Sequence, residues 1–517
     1  MTTTASTSER GPSSSSNGGD RPLSGVRARL RTTPARLWLL AVASVAAVAG
    51  LSVSAGSTLE QARDGVEVLG EDAGPQAMAT TELYLALADM DAQMADVLLM
   101  GTDHELGSGR AAAEDQYEAG RVRANRALLQ AASLPESDNA EEHGARSGAL
   151  PEGEGVEERN VQAVLDGLGE YERTVGEALL LNDEAEAPPG EVDEAALERY
   201  REGSHRMHTD LMPKAFNLGL DSSAIVRANH EEGQDAVALG LFSVCGTGLL
   251  TIGLLVGFQL YLRGRFRRRL NAPLLAATAV TVALTAGMVL TLDAAGGDQR
   301  RAKEEGMDAA MALSRAGAVA TDMQADQSRY LLDPELADNH QQVYLERAQA
   351  VLFRPAGNLD EYYGQVAEVA EAYPDLPGEG EQTEEDGEDT DPGTLGYLGE
   401  DARDFLLPAE RGALGDVLTA YDTLQTEDRH MRELSEDGDR SGAIDARMDI
   451  AHHEDGVFTD YTDALDHLID LHEAQFDAGI ASGERSLAVW TWLLPTATLL
   501  VLVLLTAGVR PRLAEYR

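Results

Sequence analysis

Between Arg263 and Arg269 the chain reads RGRFRRR, five arginines and no acid. On each side lies a long run without a single charged residue, Ala236–Leu262 before it and Leu270–Leu292 after it. Each run exceeds the roughly 20 residues that an α-helix needs to cross a bilayer. A segment inside lipid must satisfy its backbone hydrogen bonds internally, so both runs are predicted to be helices. The chain therefore enters a membrane, turns within the arginines and returns. Short loops rich in Arg favour the cytoplasmic side. That hairpin predicts the side on which the rest of the chain lies.

Two further uncharged runs complete four spans: 37–56, 236–262, 270–292 and 486–508. The first is longer than the 7–15 apolar residues of a secretory signal peptide, although Val53 and Ala55 would suit a cleavage site. It is read as an uncleaved span. Trp38, Trp490 and Trp492 stand near span ends as interfacial anchors, and Pro495 predicts a kink in the fourth. The pieces assigned to the cytoplasm are 1–36, the loop 263–269 and the tail 509–517. They carry +4, +5 and +2. The whole chain carries −48, so 57–235 and 293–485 carry −59 between them. Basic pieces on one side and strongly acidic ones on the other fit the positive-inside pattern and predict both termini in the cytoplasm. The balance excludes a nucleic-acid-binding protein, which would present a basic face. The single cysteine, Cys245, lies in a span, so no intramolecular disulfide can hold the acidic segments.

Both acidic segments read as helices. Leu83, Leu87, Met90, Met94 and Val97 alternate spacings of four and three, the seam of a helix packed in a bundle. Val161, Val164, Leu168, Tyr171, Val175 and Leu179 nearly repeat it. The Ala- and Arg-rich stretch 110–133 is a strong helix former. Acidic breaks containing Pro and Gly fall at Leu134–Gly155 and Asn182–Val192, and a last helix starts near 193. The second segment follows the same plan. A helix passes through Met323–Leu332, and a low-complexity acidic break covers Pro374–Gly396. Two further seams run Leu414, Val417, Tyr421, Leu424 and Phe458, Tyr461, Leu465, Leu468, His472. Residues 1–25, rich in Ser, Thr, Gly and Pro, lack the apolar surface needed to order them. Gly253 and Gly257, and Ala279, Ala283 and Gly287, place small residues four apart, a spacing that lets helices approach closely in lipid.

The plan is also an internal repeat. Asp89, Met90, Ala92, Leu98 and Leu99 recur as Asp322, Met323, Ala325, Leu331 and Leu332, all at an offset of 233. Thr209–Asp210 recurs as Thr459–Asp460 at 250. The change in offset is absorbed by the acidic breaks, where added length costs little. Each half is thus span, acidic helical segment, span. The predicted fold is all-α: a polytopic membrane protein with four transmembrane helices and two pseudo-repeated extracytoplasmic four-helix bundles. This plan resembles the ligand-sensing half of a bacterial chemoreceptor. There, two chains supply the four membrane helices that one chain supplies here. The tandem layout more closely resembles an actinobacterial family of four-span membrane sensors (GlnX-like). The resemblance implies a relay from an amino-acid-binding lipoprotein outside to the soluble serine/threonine protein kinase G inside.

No chemistry of catalysis is legible. There is no nucleophile elbow, no phosphate-binding glycine loop and no thiol outside the spans. His205, His208 and Asp210 could form half a metal site on one helix face, but a surface cluster is the simpler reading. His452 and His453 are adjacent and diverge on a helix. The acidic run Glu384–Asp391 and its flanks lack the register of a calcium loop. The nearest register starts at Asp375 and places Pro377 at a ligand position. No metal or cofactor is expected, and the spans hold no charge to mark a transport path. The expectation is a sensor or relay whose output passes through Arg263, Arg265, Arg267, Arg268 and Arg269, which also meet lipid headgroups. Its expected partners are the bilayer, an extracytoplasmic solute-binding lipoprotein and a cytoplasmic Ser/Thr kinase. The alternative is a non-signalling scaffold of a cell-envelope complex. The three basic pieces are too short to hold an output domain, which is why a separate cytoplasmic partner is expected.

Overall fold

A computed structural model describes residues 33–132, 154–266, 271–373, 396–398, 409–451 and 456–514. The N-terminal Ser/Thr tail, most of the breaks Leu134–Gly155 and Pro374–Gly396, His452 and His453 lie outside them. Among the described residues the secondary structure is helical and no strand occurs.

The first half runs α1 (Thr33–Glu67), α2 (Gly74–Met100), α3 (Arg110–Ala132), α4 (Glu154–Glu184), α5 (Glu194–Arg206) and α6 (Met212–Phe266). The second runs α7 (Ala272–Arg301), α8 (Ala309–Leu332), α9 (Ala337–Val351), α10 (Leu359–Ala372), a 3₁₀ turn (Gly396–Leu398), α11 (Glu410–Glu436), α12 (Arg440–Ile450), α13 (Val457–Ala488) and α14 (Trp490–Ala514). A π-helical turn, Val68–Ala73, joins α1 to α2, and another, Ala302–Asp308, joins α7 to α8. Helix is thereby continuous from Arg36 to Met100 and from Ala272 to Leu332. The repeat seen in the letters recurs in the backbone, down to the π turn at the same place in each half.

The caps follow from the sequence. Asp193 accepts from the backbone N–H groups of Ala195 and Ala196 and starts α5. Asn358 accepts from Glu361 N and starts α10 after the Pro355–Gly357 break. Such caps satisfy donors that a helix start leaves open.

The chain forms two compact units. The apolar unit gathers α1 up to Leu59, Ala238–Thr291 and the chain from Val489 onward. It contains four helices long and apolar enough to cross a membrane; the protein is a multi-pass membrane protein. Its inner face is not the small-residue stripe that the spacing suggested. Gly253 and Gly257 are exposed, with open space where a Cβ would stand, and Ala279 and Ala283 are exposed as well. The buried stripe of α7 is Leu274, Ala277, Thr281, Leu284 and Met288. Larger side chains carry the packing there, and close approach is reserved for other glycines. A Cβ on Gly248 would stand 2.5 Å from Thr285, and one on Gly240 2.4 Å from Thr58. Polar side chains seal the contacts: Gln259 Nε2 donates to Leu274 O at 3.0 Å and to Thr278 at 2.7 Å, and Asn271 donates to Gly508 O at 2.9 Å. Helix α14 passes through Pro495 without a break, and the ladder is interrupted earlier, at Val489.

The polar unit comprises Glu60–Val237 and Leu292–Ala488. Its helices pair as α2 with α3, α4 with α5, α8 with α9, and α11 with α12 and α13. The two halves meet through the repeat-equivalent helices α2 and α8. The predicted seams are its core: Leu83, Leu87, Met90, Val97, Val164, Tyr171, Val417, Tyr421, Tyr461 and Leu468 are all buried. Helices α2 and α8 are buried on nearly every face, as expected of helices without a polar side. Alanines let them approach: Ala86, Ala88, Ala92 and Ala95 on one, Ala316, Ala318, Ala320 and Ala325 on the other, all fully enclosed.

Candidate functional site: a buried charge layer between the halves

Ionisable groups are rarely enclosed without a partner, because burying a charge is costly. Helices α2 and α8 enclose Asp91, Asp96, Asp322, Asp326 and Arg329 in their shared interior. They survive there as a connected layer that joins the two halves.

Arg329, on α8, is its hub. It donates to Asp326 at 2.7 Å, to Tyr200 Oη of α5 at 3.1 Å and to Asp91 of α2. Tyr171 of α4 donates to the other oxygen of Asp91 at 2.9 Å. Arg347 of α9 bonds Asp326 and lies 3.4 Å from Asp322. His208, in a further π-helical turn (Met207–Leu211) before α6, faces Ser204 O at 2.8 Å with Nδ1 and Asp322 at 3.3 Å with Nε2. Both ring nitrogens thus face acceptors. Asp91, Asp322 and Asp326 there meet the guanidiniums of Arg329 and Arg347. Burial pushes the Asp322 carboxyl up, but Arg347, His208 and Arg329 outweigh it and hold Asp322 below the usual carboxylate range.

A second cluster continues the layer. Arg447 of α12 donates to Asp96 at 2.8 Å and to Gln324 O at 3.1 Å, and Ser328 donates to the same Asp96 oxygen at 2.5 Å. At Asp96 burial is the larger effect and raises the carboxyl despite Arg447. Asp428 of α11 accepts from Gln327, Arg432 and Tyr363. The Arg432 guanidinium lies over the rings of Tyr330 and Tyr344, 4.6 and 4.8 Å from their centroids, where the ring faces attract a cation. At the rim, Arg201 of α5 clamps Asp333 with bonds of 2.7 and 2.5 Å, and Arg440 donates to Gly190 O and Leu331 O. The Arg201–Asp333 and Arg440–Gly190 bonds cross from one half to the other.

The repeat letters acquire a role here. Asp89 bonds Arg123 on α3, and its equivalent Asp322 pairs with Arg347 on α9. In both halves the same aspartate ties the lead helix to the helix after it. Arg329 lies among the repeated letters of α8, but Arg347, Arg447, Tyr171 and Tyr200, which complete the layer, sit in helices without them, so one sequence could not assemble the layer. The half metal site does not form. His205 is exposed, His208 turns into the layer and Asp210 pairs with Lys214 at 2.8 Å. Among the described residues no group of three or more His, Cys, Asp or Glu is placed to hold a metal ion. Of the arginines between the spans, Arg263 is exposed near the end of α6 and Arg265 lies in its last turn. Arg267, Arg268 and Arg269 lie outside the described residues.

Residues 65–231 match the family described as an actinobacterial sensor domain. No curated protein and no solved structure matches the chain. The matched stretch carries α2 to α5 and the start of α6. It therefore contains every first-half residue of the layer: Asp91, Asp96, Tyr171, Tyr200, Arg201 and His208. Together with four helices able to cross a membrane, the match supports an actinobacterial membrane sensor. A sensor domain of this kind suggests a receptor without catalysis of its own.

Proposed function

We propose that the protein is a transmembrane relay. Its polar unit lies outside the cytoplasm and receives a solute, such as an amino acid, directly or through a solute-binding lipoprotein, and the basic pieces inside pass the state to a Ser/Thr kinase. One observation carries this reading: the helices that bear the buried charge layer, α2 and α8, run without interruption into apolar helices long enough to cross a membrane. Packed interfaces move between discrete arrangements and not by continuous deformation. A shift of α2 against α8 must re-pair Asp91 with Arg329 and Asp96 with Ser328 together, which makes the layer suited to two alternative registers. The positive-inside rule orients the chain with both termini and Arg263–Arg269 in the cytoplasm. There Arg263, Arg265, Arg267, Arg268 and Arg269 would contact the kinase as well as lipid headgroups.

Crosslinking in native membranes followed by capture of the full chain tests the partners. The relay predicts recovery of a solute-binding lipoprotein and a Ser/Thr kinase; recovery of neither would leave a scaffold. A second arm replaces Arg265, Arg267 and Arg268 by Gln and monitors topology with a reporter. Unaltered topology with lost kinase-dependent phosphorylation supports the relay. Unaltered phosphorylation reduces these arginines to anchors.

A further inference from the structure

A cleft of about 50 Å³ opens in the polar unit where α2, α6, α8 and the 3₁₀ turn converge. Its polar lining is made of donors. Arg315 of α8 has its guanidinium 5.9 Å from the centroid of Phe216 of α6 and takes part in no hydrogen bond or ion pair among the described residues. The chain has 89 acidic and 41 basic side chains, so an arginine in a cleft without an acidic partner is unusual here. The hydroxyls of Tyr84, on α2, and Tyr397, in the turn, also lack a hydrogen-bond partner among the described residues. Thr80 and Thr81 spend their protons on Ala77 O, at 2.7 and 3.4 Å. Among the described residues no carboxylate lines the space. Ala215 and Val319 supply an apolar wall. Asp322, whose charge is felt by Tyr84, is already engaged by Arg347 and His208.

The repeat does not duplicate this cleft. The offset of 233 puts Glu82 at the place of Arg315, and Glu82 faces Arg123 at 4.0 Å. Arg315 therefore distinguishes one copy from the other.

We propose that this cleft binds a short-chain organic carboxylate, held by the Arg315 guanidinium and the hydroxyls of Tyr84 and Tyr397, with its carbon chain against Val319 and Ala215. A planar guanidinium fork matches a carboxylate, and charge-assisted bonds of this kind are the strong ones. The volume admits a few heavy atoms and excludes a sugar or a nucleotide. The occupant would touch α2, α6 and α8, each of which leads along the chain into an apolar run. The assignment rests on the sensor reading above and needs neither lipoprotein nor kinase.

The test is thermal unfolding of the purified full chain in lipid nanodiscs, with propionate as the probe and chloride at matched ionic strength as the reference. Sodium phosphate is run in parallel. Saturating propionate is expected to raise Tm by about 2–4 °C, and Arg315→Gln to abolish the rise. Arg315 is only half-buried, so its substitution spares the core; Arg315→Lys, which keeps the charge without the fork, should retain a reduced rise. Tyr84→Phe with Tyr397→Phe should weaken the apparent affinity at least about tenfold. An equal rise in Arg315→Gln overturns the proposal, as does no rise with acetate, propionate or butyrate. A rise with phosphate and none with propionate overturns the carboxylate assignment. The assay contains no partner protein, so a negative result removes the site and leaves the relay standing, whereas a failed capture removes the relay and leaves the site.

Discussion

Arg447 and Asp96 lie 351 residues apart in sequence and 2.8 Å apart in the fold, both enclosed, one from each half of the polar unit. Removing one partner of a buried pair strands the other charge, which costs about 3–5 kcal/mol, whereas replacing both by apolar groups can be neutral. Asp96→Leu and Arg447→Met are each expected to destabilise by about that amount. The combination Asp96→Leu with Arg447→Met is expected to cost less than either. Chemical denaturation of the full chain, read as a double-mutant cycle, measures this. Strict additivity would mean that the pair does not act as a unit.

His340 and Asp322 contribute to the response to acid in separate windows. His340 lies 3.8 Å from Asp333. Burial, and then the charge of Arg329, hold its imidazolium form below the ordinary value of 6.5 against the pull of Asp326 and Asp333. The unfolded chain therefore takes up this proton first. Stability falls as pH drops from about 6.5 towards the native value, and this contribution is level below it. Asp322 has a native value below its ordinary 3.8. It adds stability above that ordinary value, which is lost as pH falls through the native one. Tm measured from pH 7.5 to 3 should lose its upper slope in His340→Gln and part of its lower slope in Asp322→Asn. A His340→Gln profile parallel to the parent between pH 6.5 and 5 would refute the first assignment.

The seams of Leu83–Val97 and Phe458–His472 were legible because a bundle helix repeats its apolar face every three to four residues. The spans were legible because lipid tolerates no charge. The pairing of α2 with α8 was half-legible: the repeated Asp89 and Asp322 marked equivalent helices, but nothing in the letters says that equivalents pack together. The charge layer was hidden. Asp91 and Arg329 are two among many acids and arginines, and only tertiary contact distinguishes them from solvated ones. The glycine pair Gly253–Gly257 misled because spacing places small residues on one face without saying which face meets a helix.

Gly306, in the π turn before α8, touches the backbone of α13. A Cβ there would lie 2.8 Å from Phe476 N and 2.9 Å from its Cα. Backbone cannot yield as a side chain can, so Gly306→Ala should force the two helices apart and cost about 1–3 kcal/mol. Thermal unfolding checks this, with Gly364→Ala as the control, since a Cβ at Gly364 meets nothing within 4 Å.

The glycines of the apolar unit separate packing from spacing. A Cβ at Gly248 would meet Thr285 Cγ2 at 2.5 Å and Oγ1 at 2.7 Å, and Thr285 is not free to turn away because its hydroxyl donates to Thr281 O at 2.9 Å. Gly248→Val must break that bond or part α6 from α7, and a loss of about 1–3 kcal/mol is expected. Gly253→Val and Gly257→Val enter open space. In a helix surrounded by lipid they should leave stability within about 0.5 kcal/mol of the parent. Unfolding of the three variants in nanodiscs distinguishes the two faces. Comparable losses at Gly253 and Gly257 would mean that this stripe is covered in the membrane by a further helix, such as that of a second copy.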